Sequence, residues 1–237
     1  MVGRDYARIL TGRLAGHVAI NKKQSALWVK ATIIIVILAF VVTAIPVIFT
    51  GGGNAQQSAE SAAGDVLARV ASQYAPTISS FSAVLASEPT SYTALVAVGD
   101  TYFDWALAVR SEMGQTNVGG YDLPMWHSAI AHYERALAVD PGEPGVMTDL
   151  AISYYYGERL DDAIAMVEQV MAESPDFAPA YFNAGIFYRT IGDSAAALAA
   201  LQRHVEMAPD AQTATTARNW IADLQAEGSS ATETVTP

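Results

Sequence analysis

The four histidines, His17, His127, His132 and His204, are the first residues to weigh, because an imidazole can move a proton near neutral pH or hold a metal. None belongs to a His-Glu-x-x-His run, which would put two ligands and a base on one helical face, and no two are four residues apart. His127 and His132 are five apart and splay around a helix. His204 lies in an apolar helical pattern and reads as a packed histidine rather than a ligand. Asp161-Asp162 opens a helical stretch, where carboxylates favour the helix dipole, so the pair reads as capping and not as an acid–base couple. There is no nucleophile elbow, Walker loop or dinucleotide fingerprint. Gly51-Gly52-Gly53 follows a long apolar run instead of a strand, which argues against a phosphate cradle. With no cysteine, disulfides, thiolate metal sites and cysteine nucleophiles are excluded. The expectation is a non-enzymatic chain with no metal and no cofactor.

If these residues are not a reaction centre, the elements that carry them must supply the function. Charge narrows the field. Residues 1–30 carry Arg4, Arg8, Arg13, Lys22, Lys23 and Lys30 against Asp5. After residue 50 there are 7 arginines, no lysine and 23 acids. Nucleic acid is a poor ligand for such a body, because phosphates need clustered cations. Neutral or basic partners fit its field.

Ala31 to Thr50, "ATIIIVILAFVVTAIPVIFT", carries no charge. At about 1.5 Å per residue, a helix of ~20 residues crosses the roughly 30 Å hydrocarbon core. Trp28 and Lys30 stand at its start, as interfacial anchors do, and Pro46 lies near its outer end. The basic residues precede the span, so the positive-inside rule places the N-terminus in the cytoplasm and the remainder outside. A cleaved signal peptide ending at Val42-Thr43-Ala44 is the competing reading, disfavoured because the apolar run exceeds the ~7–15 residues of a signal core.

One repeat period runs through the rest. Pro141, Pro175 and Pro209 are in phase, as are Ala129, Ala163 and Ala197, and Tyr154 and Tyr188. The last unit aligns Tyr181, Ala184, Gly185 and Tyr188, then Ala197, Leu201 and Pro209. The one before aligns Met147, Leu150, Ala151 and Tyr154, then Ala163, Val167 and Pro175. Earlier come Leu95, Val98, Gly99 and Tyr102, then Ala129, Tyr133 and Pro141. This pattern resembles the tetratricopeptide repeat family, whose unit is a helix-turn-helix of about 34 residues. Gly185 and Ala197 are expected to face each other where the two helices approach closely. The resemblance implies an all-α fold: a single N-terminal transmembrane helix followed by a tetratricopeptide-type solenoid with a C-terminal capping helix.

The expected divisions are a basic cytoplasmic segment 1–25, a transmembrane helix 26–50, a flexible linker 51–64, a repeat domain 65–226 and a disordered tail 227–237. Pro89 is spaced from Leu95 as Pro175 is from Tyr181, so residues 76–89 read as the second helix of a degenerate repeat, with 58–74 as its first. Trp220, Ile221 and Leu224 mark one side of the capping helix. The stretch from Tyr102 to Ala129 is much longer than its counterparts, Tyr154 to Ala163 and Tyr188 to Ala197, so this unit holds an insertion. Its first helix is expected to end near Arg110, with a Gly-rich loop over Ser111 to Trp126 that is either functional or an insertion packed by Tyr121 and Trp126.

In the family, first helices line a groove that binds peptides. Residue by residue, the resemblance implies Asp100, Phe103 and Asp104, then Thr148, Ile152, Tyr155 and Tyr156, then Phe182, Asn183, Ile186 and Arg189 as the partner-binding groove. Members that clamp acidic C-terminal peptides use lysines, an arginine and asparagines there; here only Asn183 resembles that set. A protein or peptide partner presenting apolar or basic segments is expected, with lipid contact through 26–50. The resemblance extends to anchored proteins that assist secretion or the assembly of envelope proteins and cytochromes at the inner membrane. A structural accessory subunit, binding through the transmembrane helix and the convex face, is the alternative.

Overall fold

The computed structural model describes residues 54–114 and 119–233, with side-chain surroundings over 63–114 and 119–228. Among them are eight helices: α1 (Asn54–Ser87), α2 (Tyr92–Met113), α3 (Leu123–Val139), α4 (Pro144–Tyr156), α5 (Leu160–Glu173), α6 (Ala178–Ile191), α7 (Ser194–Met207) and α8 (Gln212–Glu233). Each packs on its sequence neighbour, and the successive first helices α2, α4 and α6 touch one another, which is how stacked hairpins bury an apolar face none could bury alone.

Local chemistry sets the boundaries. At α4, Pro144 occupies the first turn and the Glu143 carboxylate accepts the Val146 N–H at 2.6 Å. Asp193 caps α7 in the same way, accepting from the Ala196 N–H at 2.9 Å. The α6–α7 turn depends on Gly192, whose φ of 78° is left-handed and whose N–H returns to the last turn of α6.

The same close approach recurs within the hairpins. A Cβ on Gly185 would lie 2.5 Å from the Leu201 side chain, and one on Gly99 would lie 2.6 Å from the Tyr133 ring. Leu201 and Tyr133 stand two repeats apart at one register position, and both are fully buried. The contact partner of Gly185 is therefore Leu201, one turn beyond the expected Ala197, because helical side chains facing a neighbour recur every three to four residues. A second recurring contact joins repeats: Tyr154 donates to Glu134 and Tyr188 donates to Glu168, each at 2.8 Å and each to the second helix of the preceding repeat.

The structure revises four expectations. Residues 58–89 are not a hairpin: α1 runs unbroken through Pro76. Its apolar stripe, Val66, Val70, Tyr74, Ile78, Phe81 and Leu85, crosses the proline in step, while Pro76 itself lies on the exposed side. The expected linker 51–64 is helical from Asn54 onward, since Ala, Gln and Glu there are strong helix formers. The tail expected from 227 continues α8 to Glu233, each added residue gaining a hydrogen bond without a new nucleation step. The insertion's loop is shorter at both ends than expected: α2 has 22 residues where α4 and α6 have 13 and 14 and runs to Met113, and α3 begins at Leu123. Trp126 is fully buried in α3, whereas Tyr121 is 43% exposed, so only one of the two expected aromatics packs the insertion. The lengthened helices build a second apolar cluster of Val70, Ala106, Val109, Met125 and Trp126. Arg110 and the buried Asp122 pair at 2.8 Å, and the Trp126 Nε1–H donates to the same carboxylate, which fastens the end of the insertion. Trp105, stacked between Tyr74 and Tyr102, has a buried Nε1 without an acceptor.

The segments expected to be cytoplasmic (1–25) and transmembrane (26–50) lie outside the described residues. Among the described residues no helix is long and apolar enough to cross a membrane.

Candidate protein-binding face

Helices α4, α6 and α8 start at Pro144, Ala178 and Gln212, one repeat period apart each time, so α8 takes the place of a first helix in a further repeat. One side of the solenoid is thus formed by α2, α4, α6 and α8. Ring contacts tie these helices together. Tyr155 of α4 stacks on Phe187 of α6 at 4.9 Å, and its hydroxyl meets that of Thr190 at 3.1 Å. Phe182 stacks on Trp220 of α8 at 5.6 Å, and Arg189 lies 4.5 Å over the same Trp220 ring.

The residues expected on this face divide by neighbour. Asp100 and Asp104 stand together on α2, one turn apart. Ile152 and Ile186 are half-buried against the core and keep part of their surface. Asn183 is half-buried and spends one amide hydrogen on the Pro179 carbonyl. Arg189 is exposed. The others are largely consumed by packing. Thr148 is 3% exposed, and its hydroxyl donates to the Pro144 carbonyl, so it does not line the face. Phe182, in the same register, lies against Trp220 and His204. That position faces the next helix, so the aromatic there fills a joint. Phe103 and Tyr156 pack on Trp126 at 5.2 and 4.9 Å, and Arg110 covers the Tyr156 ring at 4.4 Å.

Sequence reasoning missed Asp149. It stands one repeat before Asn183 and so shares its register position, a signal available in the repeat alignment. Asp149 completes an acidic end with Asp100 and Asp104. The Tyr133 hydroxyl donates to Asp100 at 2.8 Å. Burial and then the Asp100 charge push the Tyr133 phenol far up. Burial also raises the Asp100 carboxyl, opposed by the Tyr133 bond and aided by Asp104. Asp149 is pushed up to about 7, first by burial and then by Asp100, Glu143 and Asp104. Its carboxylate has no hydrogen-bond or ion-pair partner among the described residues.

At the other end, Arg189, Gly192, Ser194, Asp223, Leu224 and Glu227 line a polar cavity of about 220 Å³. An apolar cavity of about 290 Å³ lies between Met171, Tyr181, Tyr188, Ala196, Ala199 and Ala200, away from the first-helix face. Among the described residues no three His, Asp or Glu side chains are placed to hold a metal ion. Chemically, the face offers carboxylates at one end, an aliphatic middle and a guanidinium at the far end.

The tetratricopeptide repeat model matches residues 148–212. No curated protein matches this sequence. Among solved structures, a crystal structure of MamA is similar at 18% identity, with 73% of this chain and 90% of that chain covered and a TM-score of 0.50. The first repeat domain of Spaghetti (RPAP3), bound to the HSP90 peptide SRMEEVD, is 18% identical over 52% of this chain and 95% of that one, with a TM-score of 0.42. The Sgt2 repeat domain from Aspergillus fumigatus is 16% identical over 56% of this chain and 84% of that one, with a TM-score of 0.43. The matched segment and the MamA fold support a tetratricopeptide-type, all-helical solenoid for the described residues.

Proposed function

We propose that this protein is a membrane-tethered, extracytoplasmic scaffold whose first-helix face holds an apolar or basic segment of a partner protein. Tetratricopeptide repeats mediate protein–protein interaction, which supports the binding half of this reading. The observation that carries it is the face itself. Asp100, Asp104, Asp149, Ile152, Ile186 and Arg189 lie on α2, α4 and α6, where polar and aliphatic surface is left after the rings have joined the helices. The tether is supported by the uncharged run 31–50 behind six basic residues. A helix there is placed with its N-terminus in the cytoplasm and the acidic solenoid outside the inner membrane. Assistance to secretion, or to assembly of envelope proteins and cytochromes, is the role such a tethered face would serve.

The test is recovery of bound proteins from detergent-solubilised membranes with the full chain. Ile152→Ser/Ile186→Ser is compared with Ala165→Ser on the exposed outer surface of α5. The inner pair should lose the partner while Ala165→Ser keeps it. Undiminished recovery by a folded inner-pair variant removes the reading. A structural-subunit role through the convex side is favoured by the 290 Å³ apolar cavity. It predicts loss of assembly with Ala199→Arg, on the rim of that cavity, and none with the inner pair.

A further inference from the structure

We propose that the groove between α5 and α7, away from the first-helix face, seats one large apolar side chain of a partner's helix, with a lysine or arginine of that helix beside it. This site rests on the convex-side reading and stands whether or not the first-helix face is occupied. Its origin is a break in the repeat. The cavity of about 290 Å³ has Met171 of α5 on one side, Ala196, Ala199 and Ala200 of α7 on the other, and Tyr181 and Tyr188 of α6 completing the wall. One repeat earlier the same places are held by Leu137, by Asp162, Ala165 and Met166, and by Met147 and Tyr154. There Met166 packs on the core, and Met147 and Tyr154 are only 3% and 7% exposed. Here alanine stands where Met166 stood, and Tyr181 and Tyr188 stay half-buried. The open volume is therefore a missing side chain, which a side chain from outside can replace.

The wall selects an apolar guest. Tyr188 donates its hydroxyl to Glu168 at 2.8 Å, and Tyr181 donates to the Pro175 carbonyl at 3.1 Å, so neither phenol keeps a proton for a polar group. Methionine, alanine and ring carbons supply the rest, and a leucine-sized group gains by leaving water there. The groove runs between the second helices of successive repeats, and a third helix laid along such a pair drops its side chains as knobs into holes. Charge sets the flank. Helix α5 carries Asp161, Asp162, Glu168 and Glu173 and no lysine or arginine. The exposed Glu168 carboxylate is tied to the pocket wall through Tyr188. On α7, Arg203 is spent on Glu206 at 3.2 Å. A second copy of this acidic solenoid would bring further carboxylates to that rim. A lysine or arginine one helical turn from the apolar knob instead meets Glu168.

The probe is a blocked alanine–lysine helix of about 16 residues with one central leucine, long enough to hold helical structure. Its analogues carry alanine for the leucine, or glutamate for the lysines. Each is titrated into methyl-labelled full-length protein in lipid nanodiscs, which leave no detergent to fill the pocket, and followed by NMR. The leucine peptide should shift the methyl signals of Met171, Ala196 and Ala199 and leave those of Ile152 and Ile186 unmoved. The alanine analogue should bind about tenfold more weakly, and the glutamate analogue at least about fivefold more weakly. Ala200→Met restores the side chain that Met166 supplies one repeat earlier, so it should fold and lose the preference for leucine over alanine. If that variant does not fold, the peptide series on the wild type carries the test alone. Equal affinity for the leucine and alanine peptides, or shifts confined to Ile152 and Ile186, overturns the seat. Equal affinity for the lysine and glutamate peptides overturns the basic partner. Self-association that Ala200→Met removes, with no methyl response to any peptide, overturns the proposal in favour of a second copy. Loss of assembly in Ala199→Arg without any peptide response leaves the convex-side contact standing and overturns the helical knob.

Discussion

Replacing Asp149 with asparagine should make the protein more stable at alkaline pH and leave it unchanged at acid pH. Asp149 titrates at about 7 in the fold, against an ordinary value of 3.8. Between those values the folded form keeps a proton that the unfolded chain has released, so stability falls as pH rises through this window and levels off above it. At roughly 1.4 kcal/mol per tenfold change, the full penalty on the ionised folded form is at most about 4–5 kcal/mol. Partial water access to a half-buried group reduces that to about 2–3 kcal/mol. Asparagine removes the charge and, since the Asp149 carboxylate has no hydrogen-bond partner among the described residues, gives up no side-chain hydrogen bond. For a unit of this size the gain corresponds to about 5–10 °C in Tm at pH 8 and to less than ~2 °C at pH 4.5. Circular dichroism melts of the full chain in detergent, wild type and Asp149→Asn at both pH values, measure it. A Tm difference equal at the two pH values, or an asparagine variant less stable at pH 8, would refute the assignment of Asp149 as an unpaired, desolvated acid.

Three further outcomes follow from the packing and the charge distribution. Gly185→Ala should lower Tm, because its Cβ would stand 2.5 Å from the buried Leu201 side chain; the loss is about 1–3 kcal/mol in denaturant melts. Arg110→Met should cost about 2–4 kcal/mol, since it leaves Asp122, 2% exposed, without its cation; cleavage of the 114–122 connection in limited proteolysis should rise with it. Proteinase K added to cells with a permeabilised outer envelope but an intact inner membrane should digest the acidic solenoid. Protection until the inner membrane is broken would contradict the proposed topology.

The repeat was legible because its markers are steric. Gly99, Gly185, Ala129, Ala163 and Ala197 sit where two helices approach too closely for larger groups, and counting along the chain at the repeat period exposes them. The terminal helices carry no such markers. Pro76 invited a break in α1, yet an apolar stripe in step on both sides of an exposed proline holds the helix together. The face was legible as a register and not as a surface. Counting from the repeats found Ile152 and Ile186, but the same count could not tell that Thr148 and Phe182 turn into the joint between helices. Asp149 was passed over although it shares the position of Asn183. Its chemistry comes from burial and then from the charge of Asp100, which is remote in sequence.

The most direct test is where a partner touches the solenoid. A photo-crosslinking amino acid placed at Ile152, in the full chain in the cells that make it, should join a discrete partner. The same group at Ala165, on the outer surface of α5, should not. Adducts from position 165 and none from position 152, with both variants folded and at equal levels, would contradict the claim that the first-helix face is the binding surface.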